Sequence, residues 1–509
     1  MTFTLPEALS ATIRTYGTRP AFLTPERNYS WSEAGDRITR LADSLHRLGV
    51  RRGQRVAILA RNDFRFEELK YAAFWLGAAS VQLNWRMPLP ELRTVLADCN
   101  PELLFADTEH AGNDLHSRTL VLGEESDRLI EAGAAREPEP AHEDDDAILF
   151  YTSGTTGLSK GVRLSHRNIL HAALAYQGGT SIRPLPNDVY LHVSPMFHAA
   201  ELLSLPWILN GAANIYLPAF TSAGVLEAIA RYRITCTNVV PTMLIMLLTD
   251  PAFAPADLSS LRVLLFGGAS MAAEWVERAV KAFPPQVGMY QGYGLTETAP
   301  NASLLESNVL RAAVLEGRRS ELVGSVGRPL TGISVCVVDE TGARCEPGQP
   351  GEVIIRGPNI MTGYLNRPEE TAKVMTDGWL RTGDFGMLDA DGFLYLLDRI
   401  KDMIITGGEN VYSTEVETVL SAHPGIRESA VFGVPDEVFG EAVAVAIIPE
   451  PGSQLTTEEL DAHCRARIAA YKVPRLMVFV EDLPRTPIGK VAKAVLRKEY
   501  AETWRNKHA

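Results

Sequence analysis

The densest cluster of reactive residue types is Tyr151-Thr-Ser-Gly-Thr-Thr-Gly-Leu-Ser-Lys-Gly161. Glycines let backbone N–H groups come close to an anion, hydroxyls add further donors, and Lys160 adds positive charge. Such a loop suits a triphosphate or pyrophosphate. In isolation a flexible Ser/Thr/Gly turn reads the same way, so the loop alone leaves both open. It is not a Walker A loop: Lys160 is followed by Gly161 rather than Ser or Thr, and the G-x-x-x-x-G-K spacing is absent.

The surrounding sequence must place this loop at the end of a strand. Ala147–Tyr151 is a short apolar run that leads into it. Upstream, Ile38, Leu41, Leu45 and Leu48 recur at helical spacing with Gly49 as a stop, Val56–Ala60 reads as a strand, and Phe64–Leu76 as a helix. This alternation predicts an α/β fold with largely parallel strands. The acidic, Ala/Pro-rich segment from Glu124 to Asp146 reads as a surface excursion. From Gly324 the texture becomes β-rich, with SVCVVDE, GEVIIRG and FLYLLDR separated by Gly and Pro turns. Beyond Arg399 a smaller α+β pattern follows. Strands are predicted at Ala430–Val434 and Ala442–Ile448, and helix heads at the capping-box pairs Thr414/Glu417 and Thr456/Glu459.

A chain of 509 residues exceeds one hydrophobic core, so at least two domains are expected. A net charge of −13 argues against a general nucleic-acid binder, which needs a basic surface. The five cysteines are scattered and form no CxxC pair, which disfavours a disulfide framework or zinc site and makes a reducing cytoplasm the expectation. MTFTLPEALS lacks the basic-then-apolar pattern of a signal peptide, and no apolar run reaches membrane-spanning length.

YTSGTTGLSKG resembles the signature of the adenylate-forming superfamily of acyl-CoA synthetases, peptide-synthetase adenylation domains and beetle luciferases. Further matches follow in the family's order: Pro195-Met-Phe-His198, Val240-Pro-Thr242, Gly267-Gly-Ala-Ser270, Tyr293-Gly-Leu-Thr-Glu297, Trp379-Leu-Arg-Thr-Gly-Asp384, the long Asp398–Asn410 string and Pro487-Ile-Gly-Lys490. The resemblance spans nearly the whole chain. It departs at Ser159 and Ser413, where the family usually has proline; Ser159 should leave the loop less stiff, and Ser413 suits a helix N-cap. The resemblance implies a large N-terminal domain (residues 1–398) of α/β subdomains plus a distorted β-barrel subdomain. A hinge at 399–401 and a small mobile C-terminal α+β domain (402–509) complete it.

It also implies roles. A carboxylate attacks the α-phosphorus of ATP, giving an acyl-adenylate and pyrophosphate, and the acyl group then passes to a thiol. Thr152, Ser153, Gly154, Thr155, Thr156, Gly157 and Lys160 would cradle phosphates. Glu297, with the hydroxyl of Thr152, would hold Mg²⁺, which favours hard oxygen ligands. Thr296 would bind the α-phosphate. Asp384 and Arg399 would hold the ribose, and Tyr293 would stack on adenine, although a core role for Tyr293 is the simpler reading taken alone. Gly268, Ala269, Gln291 and Gly292 complete the nucleotide site. Lys490 would contact the carboxylate and α-phosphate. Lys401 would be the pivot, and Gly407, Gly408 and Glu409 would form part of the pantetheine tunnel.

His198 invites reading as a general base, but the acid is already ionised near pH 7 and the first step needs none. It is therefore expected to be a wall of the acyl pocket and a gate to the thiol, alongside Val239, Pro241, Gly267, Gly292 and Gly294. That lining is apolar or small and favours a bulky hydrophobic acid. No aspartate is placed to pair with an amino-acid ammonium; Asp188 and Asp250 are the candidates to check. ATP, Mg²⁺ and coenzyme A are the expected cofactors and co-substrates. A stand-alone enzyme that loads a carrier protein and a luciferase-type oxidative enzyme are the alternatives. A homodimer stays open.

Overall fold

The computed structural model describes residues 3–152, 159–485 and 491–508, with backbone alone for 256 and 506–508. Two twisted sheets carry the N-terminal region. The first orders its nine strands Arg328–Pro329, Ser303–Leu305, Gly288–Tyr293, Val263–Gly267, Cys236–Val239, Val189–His192, Ala213–Tyr216, Pro20–Leu23 and Asn28–Ser30. The second orders seven: Gly363–Tyr364, Lys160–Ser165, Asp146–Thr152, Ala79–Gln82, Arg55–Leu59, Leu103–Ala106 and Thr119–Val121. The interior strands of both run parallel, as the helix–strand rhythm predicts. Their antiparallel edges (Ser303–Leu305 in the first sheet, Lys160–Ser165 in the second) adjoin the candidate site residues. One apolar cluster running from Leu5 to Leu394 unites these layers.

The strand-rich segment from residue 324 forms an antiparallel sheet ordered Ser334–Val338, Gly351–Arg356, Trp379–Leu388 and Met375–Thr376, with Leu394–Arg399 also paired to Trp379–Leu388. The last region has its own sheet, in which Ile426–Asp436 pairs with Gly440–Pro449. Two separate apolar clusters lie in this region.

Two local expectations change. The segment after Glu124 is not only a surface excursion: Glu124–Ala132 is a helix with Ser126 and Ile130 buried. Its Asp127 pairs with Arg37 at 2.7 Å and Arg65 at 2.8 Å, and Arg37 also holds the buried Glu68. Acidic composition here serves a tertiary ion network rather than solvation alone. The Thr414/Glu417 capping box also fails to form. The helix Ser413–Ser421 starts one residue earlier, with Tyr412 as N-cap. Asp398 takes over the capping, accepting the Ser413 N–H at 2.5 Å. Thr414 bonds the Leu397 carbonyl, and Glu417 turns inward to the Val431 N–H and Lys493. Ser413 is thus the first helical residue rather than the N-cap. Of the second box only the N-cap half forms: Thr456 accepts the Glu459 N–H at 3.2 Å, while the Glu459 carboxylate lies 3.3 Å from His423 Nε2.

Candidate adenylation site

Thr152 and Lys160 face one another across the Asp146–Thr152/Lys160–Ser165 pairing, so the phosphate-loop candidate spans the end of a hairpin. Ser153, Gly154, Thr155, Thr156 and Gly157 lie outside the described residues, as does Lys490. At the loop's exit Ser159 Oγ donates to Glu91 Oε1 at 2.8 Å. Serine therefore anchors the strand entry by a bond that proline has no hydroxyl to make.

Glu297 sits in the short turn Thr296–Thr298, which follows the strand Gly288–Tyr293. Asn359, fully buried, clamps this turn by donating to the Thr298 and Asn301 carbonyls at 2.8 and 2.7 Å. Glu297 and the loop lysine meet through a residue the sequence did not single out. Tyr364 donates its hydroxyl to Glu297 Oε1 at 2.9 Å, and Lys160 Nζ lies 5.2 Å from the Tyr364 ring centre. Lys160 is itself paired with Glu370. Burial and the Glu297 charge push the Tyr364 phenol well up, so it stays a donor. Tyr364 arrives because Gly363–Tyr364 pairs with Lys160–Ser165 across about 200 residues of chain, which no local pattern reports.

The ribose candidates form a second cluster. Asp384, 5% exposed, accepts the Tyr293 hydroxyl at 2.7 Å on one oxygen and pairs with Arg399 at 3.0 Å on the other. Asp384 and Arg399 are cross-strand partners, so their meeting is fixed by register. Each carboxylate oxygen keeps a second acceptor position, so sugar hydroxyls can be added. Tyr293 is buried in the main core with its hydroxyl tied to Asp384. Gln291 is 7% exposed and its Oε1 lacks a partner among the described residues, which fits a ligand donor.

Several pocket candidates have structural reasons of their own. A Cβ on Gly267 would meet the Gly292 carbonyl oxygen at 2.2 Å, and one on Gly294 the Pro300 oxygen at 1.5 Å. Close backbone approach alone excludes a side chain at both. Gly268 has φ +82, and Ala269 beside it is exposed. Val239 is packed into the second core and Pro241 is the first residue of the helix Pro241–Thr249, where its missing N–H costs nothing. His198 accepts the Ala200 N–H on Nδ1 at 3.3 Å, capping the turn Ala199–Ser204. Asp188 is bound to Arg262 at 2.7 Å and Asp250 accepts the Ala252 N–H, so both are spent in the fold.

The acceptor-side residues lie elsewhere. Gly407 and Gly408, at φ +60 and +85, form the two-residue turn between Ile404–Thr406 and Glu409–Val411. A type I′ hairpin turn needs positive φ at both positions, which glycine supplies freely. Gly407 donates its N–H to the Phe439 carbonyl at 2.8 Å, within its own domain. Lys401 lies in an exposed turn just past the strand Leu394–Arg399.

Among the described residues no group of three or more His, Cys, Asp or Glu could hold a metal alone. One carboxylate and one hydroxyl, completed by phosphate oxygens, is a donor set that fits Mg²⁺. Also among them, no helix is long and apolar enough to cross a membrane.

The family of AMP-binding enzymes matches residues 9–365, and the AMP-binding enzyme C-terminal domain matches residues 415–490. A feruloyl-CoA synthase of an Amycolatopsis species is 38% identical over 481 residues, covering 92% of this chain and 94% of that protein. A fatty acid–[acyl-carrier-protein] ligase of Streptomyces coeruleorubidus is 34% identical, covering 95% of this chain and 94% of the other. Among solved structures, o-succinylbenzoate CoA synthetase of Bacillus subtilis, in complex with its acyl-adenylate intermediate, superposes with a TM-score of 0.86. It is 30% identical and covers 97% of this chain and 98% of its own.

Proposed function

Because the chain belongs to the AMP-binding enzymes and is an AMP-forming acid–thiol ligase, we propose that the two clusters around Glu297 and Asp384 are its adenylation site. It activates a hydrophobic carboxylic acid with ATP and transfers the acyl group to coenzyme A. The observation that carries the assignment of residues is the convergence of Lys160 and Glu297 on Tyr364: one tyrosine joins a cation and a carboxylate at the end of the hairpin. Glu297 and Thr152 would hold Mg²⁺, which would neutralise phosphate charge there. Asp384 and Arg399 orient the sugar, and we assign Thr296 and Lys490 to the α-phosphate. His198, with Val239, Pro241 and the glycine strip, excludes water from the acid.

We assign the pivot to Lys401 and the thiol passage to Gly407–Glu409. The five free thiols, of which Cys99, Cys236 and Cys464 are buried, suit a reducing cytoplasm. A homodimer completes the reading. Pyrophosphate release across fatty, aromatic and polycyclic acids, with and without coenzyme A, tests it when followed by mass spectrometry of the product. Magnesium-independent turnover would overturn the site. Acyl transfer only to a carrier protein would favour the second reading, to which the Streptomyces coeruleorubidus relative lends weight.

A further inference from the structure

One buried tyrosine beside the acyl-pocket candidates leaves its hydroxyl unspent. Tyr176, on the helix His166–Gly179, is 3% exposed. Among the described residues its hydroxyl has no hydrogen-bond partner; only its carbonyl is used, by Thr180. Its neighbours in the same core differ. Tyr190 donates to Asn238 at 2.9 Å, Tyr293 to Asp384 at 2.7 Å, and Tyr290 pairs with Ser181 at 3.1 Å. Burial and the Glu306 charge push the Tyr176 phenol up, so it is a neutral donor.

The direction of this donor is set by Gly292. A Cβ built there would lie 3.6 Å from both the Tyr176 hydroxyl and Leu304 Cδ1. The space that a side chain at 292 would fill is therefore the space the hydroxyl faces. Gly267 and Gly292 are also register partners at the ends of neighbouring strands, which leaves two side-chain-free residues abreast. The missing side chain at 292 lets a flat group approach the backbone closely.

We propose that Tyr176 is a specificity-determining residue whose hydroxyl donates a hydrogen bond to an oxygen substituent on a planar, ring-bearing acid. This rests on the reading of Gly292 as a wall of the acyl pocket. The test compares kcat/KM for pyrophosphate release with two arylpropenoic acids that differ only in a ring hydroxyl or methoxy group. In the unaltered protein the oxygenated acid should be preferred by about tenfold, the factor expected of one hydrogen bond. Tyr176→Phe should bring the ratio close to one. No preference in the unaltered protein, no turnover of either acid, or an unchanged ratio in Tyr176→Phe would each overturn the proposal. The substrate comparison needs no variant, so it decides even if Tyr176→Phe fails to fold. Gly292→Ala separates the two readings. Its methyl fits at ordinary contact distance and should reorder acids by width. If it does so while the Tyr176→Phe ratio stays fixed, only the tyrosine assignment fails; if acids keep their order, the pocket itself is misplaced.

Discussion

Around the nucleotide candidates, Glu297, Asp384, Tyr293, Arg399 and Lys160 each have a protein partner. Around the acceptor candidates, Gly407, Gly408 and Glu409 are exposed, and so is Lys401, of which Arg497 reaches only the carbonyl, at 3.5 Å. One region is held by strand register inside a single core; the other presents free surface on a domain with cores of its own. The boundary between them is clasped by Asp398 on Ser413, by Thr414 on the Leu397 carbonyl and by the stacking of Phe385 on Tyr412. The contrast supports the proposal that the adenylation site is preorganised and that the proposed thiol elements act in another domain orientation.

The largest expected effect comes from attacking the preorganised region. Glu297→Gln should lower Mg²⁺-dependent pyrophosphate release by about 10²-fold or more while thiolysis of a supplied acyl-adenylate changes little. Equal loss in both half-reactions would erase the contrast. Next, Lys401→Pro fixes φ at the pivot and should cut thioester formation about tenfold with single-turnover adenylation intact. Normal overall turnover would sink the pivot.

Acid should strike the body first. Burial pulls His166 and His192 from 6.5 down to about 4. Between those values the unfolded chain binds protons that the folded one does not, so stability falls as pH drops through that window. Each histidine should cost about 2 kcal/mol between pH 7 and pH 5. His192→Gln should flatten that dependence in urea melts of the body; an unchanged slope would contradict it. An effect of similar or smaller size concerns the clasp. Ser413→Pro deletes the N–H given to Asp398 and should cost about 1–3 kcal/mol. Ser413→Ala keeps that N–H and should cost less, about 1 kcal/mol or under, because only the Lys493 contact is lost. Equal melting temperatures for the two variants would show that the clasp carries no weight.

Local pattern was a good guide where an element is defined by its own residues. The strands at Val56 and Ala147, the helix from Phe64 and the Thr456 cap all need only periodicity or a local capping preference. The Thr414/Glu417 box misled because a carboxylate 15 residues upstream captured the helix end. The helix at Glu124 was hidden because its acidic residues are partly consumed by Arg37 and Arg65, far away in sequence.

The sequence by itself determined the family: a hydroxyl- and glycine-rich loop and the two carboxylates proposed for magnesium and the sugar stand in the order that marks it. Tertiary structure alone decided what those groups touch. Tyr364 joins Lys160 to Glu297, and Glu91 anchors Ser159. Gly267 and Gly294 are glycine because backbones collide there, and Tyr176 faces the space above Gly292. The physical reason is that residue type fixes what a group can donate or accept. Which partner it meets depends on sheet pairings that join segments up to about 200 residues apart.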